Sequence, residues 1–111
     1  MKGKIVVIIS SSDSGKARTG MMYAVNALKN QWMEDVKVFF FGPAQDLLLE
    51  DSELQRLLRD YQSYEKTAVA CKFLADRDGT AEPTLALGVQ VEYVGTMISD
   101  LINSGYVPMV W

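Results

Sequence analysis

Cys71 is the only cysteine in a chain of 111 residues that has no histidine, so any nucleophilic or redox chemistry done by a thiol has one position to occur. It ends a short apolar run, Thr67-Ala-Val-Ala-Cys71, and a helix-like segment, Lys72 to Asp78, follows at once. A residue at the carboxyl end of a parallel strand lies in the crevice where open α/β sheets bind ligands. There it also meets the free N–H groups and positive dipole end of the next helix, which favour thiolate over thiol, and Lys72 and Arg77 add positive charge nearby. The absence of histidine removes Ser-His-Asp and Cys-His machinery, histidine metal sites and imidazole acid–base catalysis together. A lone intracellular cysteine also packs simply as a small buried hydrophobe, and both readings stand at this point.

The elements that must position Cys71 can be read in order. Ile5-Val-Val-Ile-Ile9 is a continuous β-branched run, the pattern of a strand buried on both faces of a parallel sheet. The polar loop Ser10-Ser-Ser-Asp-Ser-Gly15 leads to a helix with Met21, Val25, Leu28 and Trp32 on one face. Gly15-Lys16 invites a phosphate-loop reading, but Ser10 stands where that motif needs Gly and Ala17 where it needs Ser or Thr. A solvated turn with Ser or Asp capping is the simpler expectation, with an anion site at the helix start as the alternative. Val36 to Phe41 forms the second strand, ended by Gly42-Pro43, and Ala44 to Glu50 a short helix. Ser52 and Gln55 fit a capping box ahead of Leu54, Leu57, Leu58 and Tyr61, whose intervening charges form a solvated face. Thr67 to Cys71 is the third strand, and Gly79 closes the helix after it. Thr80 to Gly88 reads as a loop or irregular helix. Val89 to Val94 alternates in period two, as expected of a strand near an edge. Thr96 caps a helix that buries Ile98, Leu101 and Ile102, and Asn103-Ser104-Gly105 stops it. Tyr106 to Trp111 is a last strand placed at an edge by Pro108.

Five strands alternating with helices predict one domain spanning 1–111, a three-layer α/β/α sandwich with a mostly parallel five-stranded sheet, Rossmann-like or flavodoxin-like in outline. Of the residues, 49% are hydrophobic and 23% charged, and the net charge is −3. The 11 lysines and arginines are scattered, which argues against nucleic-acid binding. No segment approaches a membrane span, and the first apolar run is too short for a signal peptide. A single cysteine fits a reducing, cytoplasmic setting, and no metal site or cofactor is indicated.

Three stretches together, Ala70-Cys71, Gly88-Val-Gln-Val-Glu-Tyr-Val-Gly95 and Leu101-Ile-Asn-Ser-Gly-Tyr-Val-Pro-Met-Val-Trp111, resemble the DsrE/DsrF-like (DsrEFH, TusD-like) family of small sulfur-relay proteins. The resemblance covers the layout of the whole chain. It implies that Cys71 accepts sulfur as a persulfide from a donor protein and hands it to an acceptor, and that the protein is a dimer, trimer or hexamer. Lys72-Phe73-Leu74 departs from members with a second cysteine or a glycine-rich turn there. Ser11, Ser12, Gly42 and Gly95 end neighbouring strands and, with Lys72 and Arg77, are candidate binding residues; a turn or cap role is the alternative for each of the strand-end residues. A small domain with this apolar content has surface to bury between subunits, for which Phe39 or Phe41, Tyr61, Tyr64, Tyr93, Met97, Tyr106 and Trp111 are candidates. Two other functions remain: an oligomeric assembly or binding protein with a structural cysteine, and a flavin or nucleotide binder using the Ser10–Gly15 loop. A response-regulator receiver would need an aspartate at position 71.

Overall fold

The computed structural model describes residues 2–111. Strands β1 (Lys4–Ile9), β2 (Asp35–Phe40), β3 (Val69–Cys71), β4 (Gln90–Glu92) and β5 (Val107–Val110) form one sheet in the order β4-β3-β2-β1-β5. Every pairing is parallel, with Ile5 opposite Val36 and Val107, Phe39 opposite Val69, and Cys71 opposite Glu92. The α/β expectation is met, and β4 and β5 are the edges as their sequences imply. Among the described residues six helices connect the strands: α1 (Ser14–Lys29), α2 (Ala44–Glu50), α3 (Ser52–Gln62), α4 (Lys72–Asp78), α5 (Ala81–Ala86) and α6 (Val94–Asn103).

Side chains alternate across a strand, so each strand feeds two different cores. Ile5, Val7 and Ile9, then Val36, Val38 and Phe40, then Ala68 and Ala70, meet Met21 and Ala24 of α1 and Leu54, Leu58 and Tyr61 of α3. Val6, Phe39, Val69 and Cys71 point the other way, under Val94 and Ile98 of α6 with Leu74 of α4. Helix α1 approaches closely because it presents Ala17, Gly20, Ala24 and Ala27 to the sheet side. A Cβ on Gly20 would lie 2.5 Å from Trp111 Cγ and 2.6 Å from Ile9 Cδ1, so only glycine fits there.

Several local expectations are corrected. Helix α1 ends at Lys29, and Trp32 is 52% exposed beyond it, tilted against Tyr23 with ring centroids 6.0 Å apart. Asp51, not Ser52, caps α3: its Oδ1 accepts from Leu54 N at 2.8 Å, while Gln55 Nε2 donates to Leu48 O. Ser52 is already helical, so the cap sits one residue earlier and the reciprocal bond of a capping box is not made. Asp51 can be buried because Arg18 of α1 donates to it from both Nε and Nη2, the latter at 2.7 Å, tying α1 to α3. Helix α6 starts at Val94 rather than at Thr96, and Ile102 faces solvent. Strands β3 and β4 are three residues each, shorter than their apolar runs. Of Phe39 and Phe41 it is Phe39 that lies in the core, and Tyr61, expected on the surface, is a core residue too; its hydroxyl donates to Val36 O at 2.8 Å, which satisfies it inside. Phe41, Tyr64 and Tyr93 are exposed as expected. Among the described residues no helix is long and apolar enough to cross a membrane.

Candidate functional site

Cys71 is the last residue of β3 and the N-cap of α4, where the sequence places it. Its backbone is extended, at φ −68° and ψ 119°, and its side chain makes no capping bond. The surrounding strand ends are sewn together by main-chain and amide bonds. Gln45, buried in the first turn of α2, accepts from Gly42 N at 3.1 Å and donates through Nε2 to Cys71 O at 3.1 Å. Ser10 O accepts from Ala44 N, and both Ser10 N and Ser11 N donate to Trp111 O. Gly42 has φ +124°, and a Cβ there would lie 2.7 Å from Ser10 Oγ, so this turn demands glycine both in conformation and in space. The ends of β1, β2, β3 and β5 therefore form one rigid rim, and the backbone of Cys71 belongs to it.

The thiol is less available than the sequence implies. Cys71 is only 6% exposed and packs among Val6, Phe39, Val69, Val94 and Ile98. The cations expected to face it are engaged elsewhere: Lys72 Nζ bonds Asp76 at 2.9 Å and lies 5.9 Å from the Tyr93 ring centre, and Arg77 bonds Asp78 at 2.9 Å. These carboxylates raise the pKa of Lys72 and of Arg77, so both stay charged. Helix α4 buries only Ala75 of its 7 residues, and the cover over the thiol is supplied mainly by Val94 and Ile98 of α6, with Leu74 of α4 packed against them. Phe73 and Tyr93, 63% and 61% exposed, both follow Cys71 in sequence: one lies in the first turn of α4 and the other follows β4.

The other candidates separate. Ser11 Oγ accepts from Asp13 N at 3.0 Å, a turn role, and Ser10 and Ser11 line a cleft of about 480 Å³ with Lys16, Val110 and Trp111. Ser12 is exposed, and Gly95 lies inside α6 with open space where a Cβ would project. The capping expectation for the first loop is met by Asp13, whose Oδ1 accepts from Lys16 N. That carboxylate stands where a flavin or nucleotide phosphate would have to approach α1, which disfavours the phosphate-binding reading. Among the described residues no cluster of three or more His, Cys, Asp or Glu could hold a metal ion.

A second group of polar side chains was not anticipated. Asp35, at the start of β2, accepts from Lys66 Nζ at 2.9 Å and from the Tyr106 hydroxyl, with Lys37 Nζ at 3.5 Å. Burial pushes the Asp35 carboxyl up, but these partners outweigh it and hold it at about 2, while the bond to Asp35, reinforced by burial, lifts Tyr106 to about 12. The group adjoins a cleft of about 550 Å³ between α6 and the amino-terminal ends of β2 and β3. Its partners come from positions up to 71 apart in sequence, which is why spacing does not reveal it. The visible signal was a lysine inside the apolar run Val36-Lys-Val-Phe-Phe-Phe41.

No family model matches the chain, and no curated protein does. Three solved structures share its architecture over nearly its whole length. A conserved protein of unknown function from Bacteroides thetaiotaomicron, BT1422, superposes with a TM-score of 0.84 at 20% identity, over 97% of this chain and 95% of that one. The ychN protein from E. coli gives 0.77 at 17% identity, covering 97% and 99%. A protein of unknown function from Methanobacterium thermoautotrophicum, MTH1491, gives 0.70 at 18%, covering 98% and 99%. This chain is similar to all three in fold.

Proposed function

We propose that this protein is a DsrE-like sulfur carrier or sulfurtransferase subunit that holds a persulfide on Cys71, working in the cytoplasm as a homo-oligomer between a donor and an acceptor protein. The observation that carries the reading is the position of Cys71, at the junction of β3 and α4 on a rim that Gln45 holds fixed. Because the main chain of the rim is fixed, the thiol can be presented to a partner by a shift of the short helices over it, Val94 and Ile98 of α6 with Leu74 of α4, without remodelling the sheet. The exposed Phe73 and Tyr93 are apolar contacts for an incoming partner. In the transfer, the Cys71 thiolate attacks the outer sulfur of a donor persulfide. The new bond joins Cys71 Sγ to that sulfur, the donor S–S bond breaks, and the donor leaves as a thiolate with its electron pair, so no net oxidant is needed.

The 6% exposure of Cys71 favours a second reading, a non-enzymatic assembly or binding protein in which the thiol is structural. Intact-mass measurement after incubation with a persulfide donor separates the two. Gain of one sulfur, reversed by reductant and absent in Cys71→Ser, is the expected result. Equal gain in wild type and Cys71→Ser, or none in either, leaves the structural reading.

A further inference from the structure

β2 is the central strand of the sheet, and central strands of parallel sheets are normally covered on both faces. Lys37 lies in the middle of β2, opposite Val6 and on the same face as Phe39, yet its side chain is 44% exposed. The reason is that α6 crosses this face to one side and leaves the 550 Å³ cleft over Lys37, a volume within the range of about 300–1,000 Å³ typical of small-ligand sites. Phe39 and Val69 form the apolar floor, and Met97 and Leu101 of α6 the apolar wall.

The charges define what would fit. Asp35 is already satisfied by Lys66 at 2.9 Å and by Tyr106, and Lys37 reaches it only at 3.5 Å, so Lys37 is the more loosely paired of the two ammonium groups and the one free to turn to a ligand beside the floor. On the rim, Asp100 and Glu65 oppose a second negative charge on a ligand. From this arrangement we infer that the cleft binds a small monoanionic molecule with an aromatic or branched apolar body, its carboxylate on Lys37 and its body between Phe39, Val69, Met97 and Leu101. The site lies on a different part of the sheet from the Cys71 rim and does not depend on sulfur transfer.

Phenylacetate is a suitable probe, titrated into the full chain while backbone amide resonances are followed by NMR, with benzyl alcohol, benzylamine and phenyl phosphate as comparison probes. Phenylacetate should shift Lys37, Phe39, Val69 and Leu101 saturably, ahead of the other three. Lys37→Gln should weaken phenylacetate about tenfold, the value of one charge-assisted bond, and leave benzyl alcohol unchanged, while Lys37→Arg retains binding. Unchanged benzyl alcohol binding also shows that the variant is folded. No saturable shift at those amides, tighter binding of benzylamine or phenyl phosphate, or equal phenylacetate affinity in wild type and Lys37→Gln overturns the inference. So does a cleft found closed by a second copy, seen as absent shifts together with a multiple of the monomer mass in light scattering.

Discussion

The two faces of the sheet are packed to different standards. One is covered by α1 and α3, of 16 and 11 residues, and its core runs unbroken from Ile5 to Val89 with Tyr61, Phe40 and Met21 fully inside. The other relies on α6 and α4, of 10 and 7 residues, over a small cluster that includes Cys71 and stops at an open cleft. Long helices on one side and short ones on the other divide the labour: the first face supplies most of the buried apolar area and hence the stability, and the second is free to keep a thiol under short helices and a lysine in a cleft.

Truncations on the two faces test this division most strongly. Phe40→Ala, on the well-covered face, should cost about 3–5 kcal/mol in urea unfolding, whereas Ile98→Ala on α6 should cost about 2 kcal/mol because the cleft beside it lets neighbours settle into the space. Equal losses would mean the two faces share the stability. A smaller effect is expected at the rim between them. Gly42→Ala places a Cβ against Ser10 at a backbone angle few side chains adopt and should cost about 2 kcal/mol. Because the turn also positions Gln45 against Cys71 O, the same variant should speed alkylation of Cys71; an unchanged rate would uncouple the rim from the thiol.

The smallest effect is a pH dependence on the open face. Asp35 is held below its ordinary value of 3.8, at about 2, so its stabilisation is complete above the ordinary value and is lost as pH falls toward about 2. After allowance for solvent screening of a partly exposed group, about 1 kcal/mol should disappear across that window, and Asp35→Asn should flatten this part of the acid limb. Identical acid profiles of the two proteins would show that Lys66, Lys37 and Tyr106 do not hold this carboxylate.

Much of the architecture was legible because it rests on local chemistry. β-branched runs such as Ile5 to Ile9 favour buried strands, Gly42-Pro43 favours a turn that opens a helix, and Pro108 belongs at an edge. The position of Cys71 at a strand end followed from the same kind of evidence. Boundaries were harder to read where two residues competed for one role, as Asp51 and Ser52 did for the cap of α3; the ion pair between the buried Asp51 and the half-exposed Arg18, 33 residues away, decided between them. In the same way, alternation told which residues of β2 share a face but not which face a helix would cover.

What the chain determines by itself is therefore the order and kind of its elements, since propensity, period and turn chemistry act over a few residues. The tertiary structure alone decided how available those elements' side chains are. Cys71 became buried because α6, more than 20 residues later, returns across its face, and Lys72 and Arg77 made their ion pairs with aspartates on their own helix. Lys37 stayed open because that same helix falls to one side of it. Burial depends on what lies above a side chain, and what lies above is contributed by distant parts of the chain.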